Sequence, residues 1–228
     1  PQINTSCDGC NGGNITIIGS VDATTTGVET LTLQAGTGEI SVTGDIGVKV
    51  PLGGVSLSAN GNNYGGTIPA INIGGSIVTQ NGGVSMDSAT SAFDSPLFGG
   101  AIEVAGGIIT GGGSVTITSE ANANGAATAS GSDIEIGGDI VTRGGAVSLS
   151  STATYANAQG GTISVAANID TTGGSAGTGT VDIENTEWNS ATAGSIQLGG
   201  GVTPTVITTS SSSVTISGIG TVIGNNLV

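Results

Sequence analysis

The sequence predicts an all-β fold, a parallel β-helix or β-solenoid of about seven coils with roughly 30 residues in each. Three observations carry the prediction. An internal repeat runs through most of the chain. Its apolar residues alternate with period 2, as in strands. Gly is dense, at 44 of 228 residues, and falls between the apolar pairs rather than within them.

The repeat is plainest in three stretches: Ile71-Asn-Ile-Gly-Gly-Ser-Ile-Val-Thr-Gln-Asn-Gly-Gly-Val-Ser-Met86, Ile102-Glu-Val-Ala-Gly-Gly-Ile-Ile-Thr-Gly-Gly-Gly-Ser-Val-Thr-Ile117 and Ile134-Glu-Ile-Gly-Gly-Asp-Ile-Val-Thr-Arg-Gly-Gly-Ala-Val-Ser-Leu149. The first apolar position of this frame falls at Ile15, Ile40, Ile71, Ile102, Ile134, Ile163 and Ile196. A second pair follows at Leu31/Leu33, Val55/Leu57, Val84/Met86, Val115/Ile117, Val147/Leu149, Val181/Ile183 and Val214/Ile216. Each pair reads as a short strand bounded by turn residues, and the density of Gly and β-branched residues disfavours long helices. Equivalent strands of successive coils would stack into parallel sheets about 4.8 Å apart, a rod roughly 34 Å long. A right-handed turn is the expectation for parallel crossovers. One coil cannot bury its own Ile and Val, but its neighbours can, each such side chain contributing about 1.5–3 kcal/mol. The Gly pairs Gly82/Gly83, Gly112/Gly113 and Gly144/Gly145 fit corners that need positive φ or close backbone approach.

The remaining part of each coil varies in length and holds all five aromatics: Tyr64, Phe93, Phe98, Tyr155 and Trp188. The simple reading is that they cover the small residues of a thin third sheet. The functional one is a contact strip along the loop edge, formed by Tyr64, Phe93, Tyr155 and Trp188. The chain divides into an N-terminal segment, residues 1–13, a solenoid over 14–217, and an apolar strand over 218–228. Thr221, Val222, Ile223, Leu227 and Val228 in that last strand are candidates for strand addition to a neighbouring copy. The chain starts at Pro1 without a basic, apolar leader, so the expectation is a removed signal peptide or an excised piece.

Composition narrows the function. The formal net charge is −14, from 16 acidic and 2 basic residues, and His is absent. Two cations cannot neutralise many phosphates, so a nucleic-acid partner is not expected. No apolar run approaches a membrane span, so no membrane insertion is expected either. Columns of the repeat turn residue types into ladders. The position inside the second pair reads Thr32, Ser56, Ser85, Thr116, Ser148, Asp182 and Thr215, a solvated outer face. Five residues after the first Ile come Ser20, Asp45, Ser76, Gly107, Asp139, Asn168 and Gly201, mostly short polar side chains suited to turn capping. Glu103 and Glu135 share a column, where a cation such as calcium could bridge them, although the Gly-Gly-x-Gly-x-Asp calcium repeat is absent. No cofactor is therefore expected. Lys49 and Arg143 count to equivalent positions three coils apart.

Cys7-Asp-Gly-Cys10 is the only C-x-x-C. Zinc would need four ligands, and the chain has neither a second C-x-x-C nor any His; the Asn-Gly-Gly that follows does not read as the helix start a redox motif would want. In an exported protein the pair would close a small intrachain disulfide, with an interchain link as the other reading. Catalysis finds little support: Asp182, Glu184 and Glu187 form the nearest carboxylate cluster, and two of them alternate with buried-type Val181 and Ile183.

Gly75-Ser-Ile-Val-Thr-Gln-Asn-Gly-Gly-Val-Ser-Met86 and Gly138-Asp-Ile-Val-Thr-Arg-Gly-Gly-Ala-Val-Ser-Leu149 resemble repeats of large bacterial filamentous-haemagglutinin-like exoproteins, over roughly residues 14 to 217. The resemblance implies a secreted or cell-surface right-handed β-helix serving as a stalk, fibre or adhesin. Together these readings lead to an extracellular, non-enzymatic subunit that joins copies of itself head to tail. A monomeric stalk binding glycan through its loop edge is the alternative, and a polysaccharide lyase or hydrolase a weaker one.

Overall fold

The structure, a computed structural model, describes residues 1–6, 12–60, 69–92, 97–98, 100–123, 128–130, 133–154, 157–173, 179–188, 194–199, 205–210, 212–218 and 222–224. Among these residues there is no helix, and three parallel sheets wind around one core. The first sheet has eight strands: Gln2–Asn4, Thr30–Gly36, Gly54–Ala59, Val84–Ala92, Val115–Ala123, Val147–Thr154, Val181–Trp188 and Val214–Gly218. The second also has eight: Ile15–Ile17, Ile40–Val42, Ile71–Ile73, Ile102–Val104, Ile134–Ile136, Thr162–Val165, Ser195–Leu198 and Val222–Gly224. The third has five: Ile77–Thr79, Ile108–Thr110, Ile140–Val141, Ile169–Asp170 and Ile207–Thr208. A small extra pair joins Leu97–Phe98 to Ala129–Ser130.

Successive strands of one sheet come from successive coils, which is the defining connectivity of a β-solenoid. Five coils contribute a strand to all three sheets. In the two N-terminal coils the third face is held by isolated bridges, Val21 to Ile46 and Ile46 to Ile77. Register follows the repeat frame: Ile71 pairs with Ile102, and Ile102 with Ile134. Ile40, Ile71, Ile102, Ile134 and Ile163 are fully buried, as are Ile77, Ile108, Ile140 and Ile169 on the third face. Like side chains lie on like, so each rung presents its neighbours with a surface of the same shape, and neighbouring coils bury each other's aliphatics.

The structure departs from the sequence reading in four places. First, part of the segment before residue 14 belongs to the solenoid: Gln2–Asn4 is the first rung of the first sheet, with Ile3 against Leu33. Secondly, the third sheet is built by the Ile-Val-Thr segment, while the variable segment begins as a continuation of the first-sheet strand. Those strands reach nine residues because alternation persists beyond Met86 and Ile117 with small inward residues. Ala59, Ser88, Ser119, Ser151 and Asn185 form this inward column, all buried. The Ser119 hydroxyl donates to the Gly100 carbonyl at 2.5 Å and the Asn185 amide to the Gly161 carbonyl at 2.8 Å, so in these two coils the backbone running into the second sheet closes on the column. Thirdly, six positions separate Ile46 from Leu52, where two separate their partners Ile77 and Thr79. Lys49 therefore sits in a four-residue insertion and has no counterpart in Arg143. Fourthly, Glu187 lies on the other side of its strand from Asp182 and Glu184, and its Oε1 accepts a bond from the Gly194 amide at 2.7 Å.

Corners are tied in two ways. Thr79, Thr110, Thr142 and Thr171 are buried, and each hydroxyl donates to a carbonyl across its corner, of Gly82, Gly113, Gly145 and Gly179 respectively. A Cβ at Gly82 would lie 1.7 Å from the Gly53 carbonyl oxygen, and Gly144 has φ +103°, so both corners require glycine. The second tie is the polar column five residues after the first Ile. Asp45 Oδ1 accepts from the Ser76 amide at 2.9 Å, Asp139 Oδ1 from the Asn168 amide at 2.9 Å, and Asn168 Oδ1 from the Val206 amide at 2.9 Å. These side chains cap the corner of the next coil rather than their own.

Candidate functional site

The surfaces that the described residues present are the outward faces of the sheets and the outermost rungs of the rod. The long first sheet points its polar columns outward, as alternation requires: Ser85, Thr116 and Asp182 are exposed, and Asp87 and Glu184 extend the same face. Trp188 also points outward here, 62% exposed, beside Thr154 of the preceding coil. An indole in that setting covers no core. Of the other aromatics read as a contact strip, Tyr64, Phe93 and Tyr155 lie outside the described residues, as do Cys7 and Cys10. Phe98 belongs to the small extra pair, beside Ser130. The structure thus places one member of the strip, Trp188, on the surface, and the other three lie outside the described residues.

On the second sheet Glu103 and Glu135 stack in register as the repeat frame requires. No group of three or more Cys, Asp or Glu able to hold a metal ion occurs among the described residues. Asp182 and Glu184 face water on one side of their strand while Glu187 is spent on a backbone amide, so the three do not flank a common cleft.

Each sheet has an outermost described strand at either end. At one end Gln2–Asn4 and Ile15–Ile17 are the outermost rungs; at the other they are Val214–Gly218, Val222–Gly224 and Ile207–Thr208. Val222 and Ile223, two of the proposed linking residues, pair with Ile196 and Gln197, so they form the terminal rung of their own second sheet. Thr221, Leu227 and Val228 lie outside the described residues. Core columns that are closed along the rod are open here: Ile3 is 42% exposed and Val214 43%.

One feature escaped the repeat reading. The second residue of each third-sheet strand points outward, and in three successive coils it is Val78, Ile109 and Val141. The signal was present in the doublets Ile77-Val78, Ile108-Ile109 and Ile140-Val141: two adjacent aliphatics in a period-2 strand place one of them outside.

Taken together, the sheets and their register define a parallel β-solenoid. No family model matches this chain, and neither does any curated protein or solved structure.

Proposed function

We propose that this chain is a structural extracellular protein, a self-associating β-solenoid subunit that stacks head to tail into a surface fibre, filament or sheath. One observation carries the reading: the same columns reach both ends. Ile3 and Ile216 belong to a single first-sheet column, and Ile15 and Val222 to a single second-sheet column. A second copy set on the end of the first meets strands of the same direction, with apolar over apolar. Parallel edges of this kind are templates for further pairing, and a contact between unlike ends that does not close generates a filament. The resemblance of the repeats to those of secreted exoproteins supports a place outside the cell.

Negative-stain microscopy of the purified chain tests the proposal. Long fibres of constant width are expected from the native chain. Ile3→Glu puts a charge on the end column, where water already reaches, and is expected to abolish fibres while the circular dichroism stays that of a folded β protein. Fibres unchanged by Ile3→Glu would place the contact elsewhere. The second reading, a stalk or adhesin that binds glycan along its loop edge, is favoured by Trp188, whose exposed ring would suit stacking on a sugar.

A further inference from the structure

We infer that two rods also pair side by side in an antiparallel dimer, through the outward face of the third sheet. This inference is independent of end-to-end stacking and concerns a different surface. Outward columns on the first two sheets are dominated by hydroxyl, amide and carboxylate side chains. On the third sheet, Val78, Ile109 and Val141 form the one outward column among the described residues with three aliphatic rungs in succession. Ile109, at the centre, is 37% exposed, and the two valines are half-buried.

Charges on either side of this strip select both the occupant and its direction. One rung beyond Val141 the column continues with Asp170, and then with Thr208. One rung before Val78 comes the insertion with exposed Val48 and Lys49. That loop is held by Asp22, whose Oδ1 accepts from the Lys49 amide at 2.9 Å and the Val50 amide at 3.3 Å, and Asp22 itself occupies the next rung out. Counted from Ile109, the strip therefore carries Lys49 two rungs one way and Asp170 two rungs the other.

A two-fold axis along the strand direction through the Ile109 rung sets Ile109 on its own copy and Val78 on Val141. It also sets Lys49 opposite Asp170 of the second copy, twice, and Asp22 opposite the neutral Thr208. Two rods packed in the same direction would instead oppose Lys49 to Lys49, Asp170 to Asp170 and Asp22 to Asp22, three like-charge contacts. Complementarity of charge thus favours a second copy of this chain, and the antiparallel arrangement of it. An isologous contact of this kind is self-complementary and closes at two.

Sedimentation velocity of the full chain over a concentration series reads the pairing. A side-by-side dimer is expected, more compact than an end-to-end one, and it should persist in the Ile3→Glu chain. Ile109→Asp is expected to weaken it more than tenfold with unchanged circular dichroism, and Val141→Asp to do the same. Direction is read by Asp170→Asn, which removes the charge but keeps an oxygen for the bonds that Asp170 accepts from the Thr172 amide and hydroxyl at 2.8 and 2.6 Å. In the antiparallel dimer this change, like Lys49→Glu, weakens association by about fivefold. In a parallel dimer Asp170→Asn would relieve a repulsion and tighten it. An Ile3→Glu chain that stays monomeric across the series, a dimer indifferent to both Ile109→Asp and Val141→Asp, or tightening by Asp170→Asn would each overturn the inference.

Discussion

Ile108 and Ile109 are chemically identical neighbours with opposite fates. Ile108 is fully buried between Ile77 and Ile140; Ile109 points outward between Val78 and Val141. The pair is an internal control for how much of the stability comes from stacked aliphatics. Ile108→Ala should cost about 2–5 kcal/mol, because the neighbouring rungs are held by their own ladders and cannot collapse into the space. Ile109→Ala should cost about 0.5 kcal/mol or less in the monomer. Urea titration of both variants checks this, and similar costs would mean that the third sheet is not wound with Ile108 inside. Residue-scale legibility divides along the same line. The inward aliphatics were readable because they recur at a fixed place in every coil. The buried Ser88, Ser119, Ser151 and Asn185 were not, since a small polar side chain in a period-2 strand looks the same whether it faces water or the core. For Ser119 and Asn185 the closing approach of Gly100 and Gly161 decides it.

At the scale of the element, the strands are too short to hold their own direction, and the corners set it. The Thr142 hydroxyl reaches the Gly145 carbonyl across one corner, and the Asn168 amide oxygen reaches the Val206 amide across another. Thr142→Val keeps the shape and removes the donor, leaving a buried carbonyl unpaired; a loss of about 1–3 kcal/mol is expected in thermal or chemical unfolding. Asn168→Ala, at an exposed corner where water can replace the lost acceptor, should cost about 1 kcal/mol or less. A loss for Asn168→Ala as large as that for Thr142→Val would show that the outer ladder, and not the inner tie, sets the corner. The interrupted member of the outer ladder is Gly107, and it cannot be filled: a Cβ there would stand 2.6 Å from the Asp139 carbonyl oxygen. The polar column was legible as capping, but its direction was not. Nothing in spacing alone says whether a short side chain turns back on its own corner or reaches forward to the next coil. The first rung was missed for a related reason. Gln2-Ile3-Asn4 holds a single apolar residue, so it cannot show a period, and its place became visible only through its pairing with Leu33.

For the whole molecule the governing quantities are rung count and charge. The first two sheets have eight rungs each, whereas the third has five strands extended by the Val21 and Ile46 bridges to seven rungs. Copies stacked end to end in register would advance by eight rungs, about 38 Å at 4.8 Å per rung. The described part of the third face would lack a rung once in every such step. A fibre built this way should therefore diffract at about 4.8 Å along its axis and also at about 38 Å, because the interrupted face marks each junction. Rods that only pair side by side carry the first spacing without the second. The charge of −14 on each subunit opposes both contacts, and it acts over about 10 Å at 0.1 M salt. Added salt or divalent cations should shorten that reach and speed fibre growth, followed by light scattering, while leaving the 38 Å spacing unchanged. Screening alters how often ends meet, whereas the spacing is set by how many rungs one chain contributes. Fibres whose axial repeat shifts with salt would mean that the ends join through charged side chains rather than through strand edges, and the head-to-tail ladder would have to be given up.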